Sequence, residues 1–81
     1  MQVTVSFYSY LKDLTGSSRE RQEMPDGSTL GELLQTLARR HPKLAAMRHS
    51  TLMAVGVDYQ PVGYRLKEGD EVSFFPPVQG G

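Results

Sequence analysis

The sequence has 81 residues, nine of them basic and nine acidic, so the formal net charge at pH 7 is zero. A balanced charge gives no support for nucleic acid or an anionic membrane as the main partner. The absence of cysteine excludes disulfides, thiolate metal sites and a cysteine nucleophile. No apolar run approaches the roughly 20 residues that span a bilayer, and no secretory signal is apparent. The composition therefore predicts one small cytoplasmic domain.

The first third of the chain has the pattern of two strands joined by a helical turn. Residues 2–8 alternate between apolar and polar side chains, which predicts a half-buried strand. Residues 10–16 predict a short helical turn closed by a glycine. Residues 19–24 are mainly polar and predict an edge strand, which ends at a Pro-Asp-Gly turn.

A single amphipathic helix is predicted in the middle of the chain. Thr29 and Glu32 have the spacing of a capping box, in which each side chain bonds the other residue's backbone N–H. Proline disfavours the α region in the residue before it, so His41-Pro42 is predicted to end the helix. The apolar positions repeat every three or four residues and form one stripe that covers one sheet face: Leu30, Leu33, Leu34, Leu37 and Ala38.

The remaining elements complete a sheet. Residues 52–57 are almost all apolar and predict an interior strand, residues 58–61 a turn, and residues 62–64 a short strand. Residues 71–75 predict the last strand. The order of elements predicts an α+β fold of the β-grasp type, with a mixed sheet of four to five strands and one main helix across one face.

The last residues predict a flexible, extended tail. Proline fixes φ and lacks an N–H, so Pro76 and Pro77 hold the chain extended and off the sheet. Residues 76–81 can reach at most about 20 Å. Gly80 and Gly81 have no Cβ and fit a channel too narrow for side chains. The predicted organisation is a β-grasp domain at residues 1–75 and a tail at residues 76–81 that presents the Gly81 carboxylate.

Phe75 breaks the alternation of the last strand. It has the parity of Glu71 and Ser73 and is therefore predicted to face away from the helix-covered core. An exposed phenylalanine beside a protruding tail predicts a docking surface. The alternative is that a loop covers it.

Other candidate sites have weaker support. His41 and His49 lack a carboxylate or cysteine at ligand spacing, so no metal site is predicted. Arg39-Arg40, with Lys43 and Arg48 beyond, can meet an acidic partner, although basic residues also suit a helix C-terminus. No nucleophile with an adjacent base and no glycine-rich phosphate loop is found. If the protein takes part in a reaction, its terminus is then the reactive group.

The closing phrase GDEVSFFPPVQGG, residues 69–81, closely resembles the end of the small subunits of molybdopterin synthase (MoaD), in the ubiquitin-like sulfur carrier family (MoaD/ThiS). The LKDLTG and TLGELL segments and His41-Pro42 also resemble this family, so the resemblance covers nearly the whole chain. One departure lies at residues 56–58, Gly-Val-Asp, where the family usually has Asn; glycine tolerates the same positive φ.

The resemblance implies a sulfur carrier that is not an enzyme on its own but the sulfur-donating subunit of a sulfurtransferase. It implies no bound cofactor. Instead, an E1-like adenylyltransferase (MoeB-like) adenylates the Gly81 carboxylate with ATP, and a sulfur donor converts it to a thiocarboxylate. The tail then enters the large synthase subunit (MoaE-like) in a heterotetramer, where the sulfur attacks cyclic pyranopterin monophosphate. In this scheme Gly81 carries the sulfur and the other partner-binding residues are Phe75, Pro76, Pro77, Val78, Gln79 and Gly80.

Three alternatives remain open at this stage. The first is a sulfur carrier for another pathway, such as that of the thiamine thiazole. The second is a protein modifier whose Gly81 forms an isopeptide bond with a lysine. The third is a β-grasp binding module whose glycine pair has no chemical role.

Overall fold

Five strands form one mixed sheet in the computed structural model, which describes residues 1–77. The spatial order is β2-β1-β5-β3-β4, with β1 and β5 parallel and all other neighbours antiparallel. This arrangement, with one main helix on one face, confirms the predicted α+β β-grasp fold. The strands are β1 (Gln2–Phe7), β2 (Arg19–Glu23), β3 (Leu52–Val55), β4 (Asp58–Tyr59) and β5 (Glu71–Phe75).

The inner face of the sheet is built from the alternation of its two central strands. In β1 and β5 every second side chain is buried, and the two largest, Phe7 and Phe74, are 1% and 0% exposed. Their rings meet edge to face with centroids 5.8 Å apart, a favoured aromatic geometry. Because β1 and β5 are adjacent and parallel, two alternating patterns far apart in sequence produce one continuous apolar surface.

The main helix, α2 (Leu30–Arg40), covers this surface. Its capping box is present: the Glu32 backbone N–H donates to Thr29 Oγ1 at 3.2 Å, and the Thr29 N–H donates to Glu32 Oε1 at 2.9 Å. The predicted leucine and alanine stripe is buried throughout. Two short helices, α1 (Leu11–Thr15) and α3 (Pro42–Ala45), complete this layer.

The end of α2 is fastened to the edge strand β2 through one carboxylate. Glu20 Oε1 lies 2.8 Å from Arg40 Nη2, and Glu20 Oε2 lies 3.1 Å from His41 Nε2. The His41 ring also packs edge-on against Phe7, with centroids 6.3 Å apart. His41 is therefore the helix-end residue that the sequence predicts, and its ring nitrogen is already engaged.

Two predictions for the second half of the chain are wrong. Asp58 and Tyr59 form β4 rather than a turn, because the chain reverses earlier, at Gly56-Val57. Gly56 has φ +61° while Val57 does not have positive φ, the pattern of a type II′ hairpin turn. The interior strand accordingly ends at Val55, although its interior position is correct.

The predicted short strand at residues 62–64 is also wrong, because the segment forms a turn. Its carbonyl groups bond a helix instead of a strand: the Leu30 N–H donates to Tyr64 O and the Gly31 N–H donates to Val62 O, both at 2.9 Å. These bonds satisfy two of the N–H groups that the first turn of a helix leaves without partners. The residue that follows this segment, Arg65, makes an isolated antiparallel bridge with Thr29.

Candidate functional site at the end of the last strand

The last strand places its carboxyl end at the middle of the sheet. β5 is paired with β1 on one side and with β3 on the other. The Tyr8 N–H donates to Phe74 O at 3.1 Å, so pairing continues almost to the end of the strand. Pro76 and Pro77, which follow directly, are half-buried. Whatever follows residue 77 therefore leaves from a firmly held strand end.

Four of the predicted site residues, Val78 to Gly81, lie outside the described residues. The tail that was predicted at residues 76–81 is thus described for its two prolines alone.

Phe75 lies on the outer face of the sheet, as its parity predicts, but it is half-buried rather than exposed. Its ring stacks on Tyr8, with centroids 4.8 Å apart and planes 13° from parallel. Tyr59 meets the same ring at a steeper angle, 64°, with centroids 6.1 Å apart. Two tyrosine side chains, rather than a loop, therefore flank Phe75.

Tyr8, Leu52, Tyr59 and Phe75 together form an aromatic patch on the outer face. Leu52 is the direct cross-strand neighbour of Phe75. Tyr8, Leu52 and Tyr59 expose 45%, 36% and 68% of their surface. Large apolar side chains that remain together in solvent mark a protein contact surface more often than scattered ones do. This surface adjoins the point where the chain leaves the sheet.

Sequence reasoning identified Phe75 but missed its two tyrosine neighbours. Tyr8 continues the outward parity of Thr4 and Ser6, so the alternation itself carried the signal. Tyr59 lies in the segment, residues 58–61, for which the sequence pattern predicts a turn, so that pattern does not place it on a sheet face. Its place beside Phe75 depends on the pairing of β4 with β3, for which Gly56 at the first position of the hairpin turn was the available local signal.

The remaining candidates are located elsewhere. His49 lies on the connection from α3 to β3 and lines a groove beside α2. Residues 1–77 contain no group of three or more His, Cys, Asp or Glu side chains that could hold a metal ion. In the same range, no helix combines the length and apolar character needed to cross a membrane.

A mixed five-stranded sheet crossed by one capped helix, with the final strand at its centre, defines a ubiquitin-like β-grasp protein. The chain belongs to the ThiS family, whose model matches residues 5–81. It is 30% identical to the molybdopterin synthase sulfur carrier subunit of Chlamydomonas reinhardtii, over 100% of both chains. It is 31% identical to the human protein of the same name, over 99% of this chain and 94% of the relative.

A solved structure shares the fold. In the complex of subunits 1 and 2 of the molybdopterin-converting factor from Helicobacter pylori, one chain matches with a TM-score of 0.70 and 23% identity, over 100% of both chains. At this identity the likeness concerns the fold alone.

Proposed function

We propose that this chain is the sulfur carrier subunit of a molybdopterin synthase. The observation that carries the proposal is full-length similarity to relatives of that name, including one matched over 100% of both chains. The family match also extends through the glycine pair to residue 81. The geometry supports it, because the segment that ends in this pair follows a strand anchored on both sides.

The reactive group is the carboxylate of Gly81. A carboxylate is a poor acyl donor because its oxygen is a poor leaving group. The adenylyltransferase joins it to the α-phosphate of ATP and releases pyrophosphate. Sulfur at the oxidation level of sulfide then displaces AMP and leaves a thiocarboxylate, the form that donates sulfur to the pterin precursor. The chain acts as a protein cosubstrate in this scheme, while the partners hold the catalytic side chains.

The aromatic patch is the surface on which the large synthase subunit docks. Aromatic side chains are frequent anchors at protein interfaces. Because the patch adjoins Pro76 and Pro77, docking there fixes where residues 76–81 begin and directs the extended tail into the partner. A threaded tail is held mainly by main-chain contacts, which suits a segment that ends in two glycines. We also propose that the folded domain ends at residue 75 and the tail begins at residue 76. The proposed synthase is a heterotetramer that contains two copies of this carrier.

Phe75→Ala is expected to weaken binding to the large subunit by at least about tenfold, as expected for an aromatic anchor. The ring also stacks on Tyr8, so the loss of this stack is expected to lower the free energy of unfolding by about 0.5–1.5 kcal/mol as well. Isothermal titration calorimetry and urea denaturation measure the two effects. Unchanged affinity for the large subunit would contradict the docking role.

The intact mass of the protein purified from cells that make molybdenum cofactor tests the carrier role. We expect a population heavier by the difference between one sulfur and one oxygen, located by fragmentation to the C-terminal peptide. A tail that stays unmodified in the presence of adenylyltransferase, ATP and a sulfur donor contradicts the proposal. High-mass adducts would instead indicate a protein modifier, and transfer to a thiazole precursor would indicate a thiamine carrier.

A further inference from the structure

A second surface lies on the helix side of the sheet, opposite the aromatic patch. An open groove of about 460 Å³ runs beside the first half of α2, between the turn at Val62-Gly63 and the connection that carries Arg48 and His49. Leu34 lies at its base and is 6% exposed, while Val62 on its wall is 61% exposed. The apolar surface that a partner side chain can reach is therefore supplied mainly by Val62, with a small exposed part of Leu34 beside it.

Main-chain contacts hold one wall of this groove in place. A Cβ on Gly31 would lie 3.3 Å from both Val62 O and Val62 Cβ, so the glycine lets the turn approach the helix closely. The Gly31 N–H donates to Val62 O at 2.9 Å. This wall of the groove is consequently in place before any partner binds, and less conformational entropy is lost there on binding.

A segment with basic but no acidic residues begins in α2 and runs past the groove. Residues 33–57 contain four arginines and lysines and no aspartate or glutamate. Arg40 is paired with Glu20, but Arg39, Lys43 and Arg48 make no ion pair within the described range 1–77. Arg48 lines both the groove and a smaller depression of about 240 Å³ that includes Arg39. The two arginines thus flank one continuous surface.

The acidic residue in the groove lining, Glu32, uses its carboxylate to cap the start of α2. Its Oε1 accepts hydrogen bonds from the Thr29 N–H at 2.9 Å and from Thr29 Oγ1 at 3.3 Å. It therefore lies at the helix start and caps it, whereas the cations lie toward the helix end. A ligand along the groove meets cations at the end of α2.

We propose that the groove and the adjoining depression together form a basic groove, lined by Leu34, Arg39, Arg48, His49 and Val62, that binds an acidic peptide segment of a second protein. An apolar side chain of the segment lies over Leu34, and its carboxylates meet the guanidinium groups of Arg39 and Arg48. Guanidinium groups bind carboxylates with two parallel hydrogen bonds, and the apolar contact supplies an anchor. Two arginines beside an apolar surface suit such a peptide better than a nucleic acid, which requires a longer basic surface.

The proposal goes beyond the carrier function and does not depend on it. The basic groove lies on the helix layer, and the aromatic patch lies on the outer face of the sheet. One protein can therefore hold the carrier by its helix side while the outer face and the tail remain accessible to another.

A titration of the full chain with a defined peptide tests the proposal. The probe is the acetylated peptide Glu-Asp-Glu-Leu-Glu-Asp-Glu, followed by amide chemical shifts of the ¹⁵N-labelled protein. We expect shifts in α2, α3 and residues 62–63, and none at Tyr8 or Phe75. Replacing the central leucine of the peptide by serine is expected to weaken binding severalfold, because the anchor over Leu34 is lost.

Matched double variants separate a site from general attraction. Arg39→Gln with Arg48→Gln is expected to raise the Kd by at least about tenfold. Arg19→Gln with Arg21→Gln removes the same charge from the exposed edge strand β2 and is expected to leave the Kd within about twofold, because that charge lies outside the groove. Melting temperatures verify that both variants are folded. Equal effects of the two variants, equal binding of the serine peptide, or tighter binding of a short oligonucleotide at the same face would overturn the proposal.

Discussion

Deletion of Gly81 is expected to abolish sulfur transfer to the pterin precursor while leaving the melting temperature unchanged. The deletion moves the terminal carboxylate back by about 3.3–3.6 Å along an extended chain. A displacement of about 1 Å at a reacting atom can cost roughly a hundredfold in rate. Stability is expected to stay the same, because within the described residues 1–77 a hydrophobic core is already complete between Val3 and Phe74. In vitro molybdopterin formation and thermal unfolding measure the two quantities.

Two control variants distinguish the loss of the terminal carboxylate position from other effects of changing the tail. Gly81→Ala keeps the chain length and the carboxylate but adds a Cβ, so it tests clearance alone. Gln79→Ala keeps both glycines and is expected to retain most activity, because the tail is proposed to bind through its main chain. If the protein without Gly81 still supported molybdopterin formation, the terminus would not be the carrier group.

Phe74→Ala is expected to lower the free energy of unfolding by about 3–5 kcal/mol, the usual cost of truncating a buried phenylalanine. Phe74 is 0% exposed and packs edge to face against Phe7. Phe74 also lies on the central strand β5, between β1 and β3. The cavity that the substitution leaves would therefore be enclosed by neighbouring strands and by the helix layer. Since small domains are stable by about 5–15 kcal/mol, this single change removes a large share. Urea denaturation measures this loss, provided that the dependence of the unfolding free energy on urea concentration is the same in the variant and the original protein.

The neighbouring residue supplies a matched control. Phe75→Ala deletes the same side chain one position further along the same strand, on the opposite face. Its expected loss of stability is about 0.5–1.5 kcal/mol, from the stack on Tyr8. Equal destabilisation by the two substitutions would show that the outer face is as tightly packed as the core, which would contradict a free aromatic patch.

Much of the fold could be predicted because its local patterns are unambiguous. The period-two alternation of residues 2–8 and 71–75 placed Phe7 and Phe74 in the core, and the buried pattern of both strands agrees. The capping box of Thr29 and Glu32 set the start of the helix. Each of these signals is contained within a few residues, where backbone geometry and burial are set together.

The errors arose where hydrogen-bond partners outside the segment decide its conformation. Residues 62–64 look like a strand, but their carbonyl groups bond the first turn of α2. Asp58 and Tyr59 look like a turn, but pairing with Val55 and Ala54 makes them a strand. In the first case a partner distant in sequence decides the conformation, and in the second the position of a tight hairpin turn decides it.

By itself, the sequence determined the β-grasp order of elements, the buried stripe of α2 and the outward direction of Phe75. These follow from periodicity, because a side chain's face is fixed by its position within its own strand or helix. Only the tertiary structure decided what lies beside each face. It brought Tyr8 and Tyr59 against Phe75, and it placed Val62 opposite Leu34 beside Arg48. Adjacency across a sheet depends on which strands pair, and strand pairing is a property of the whole fold.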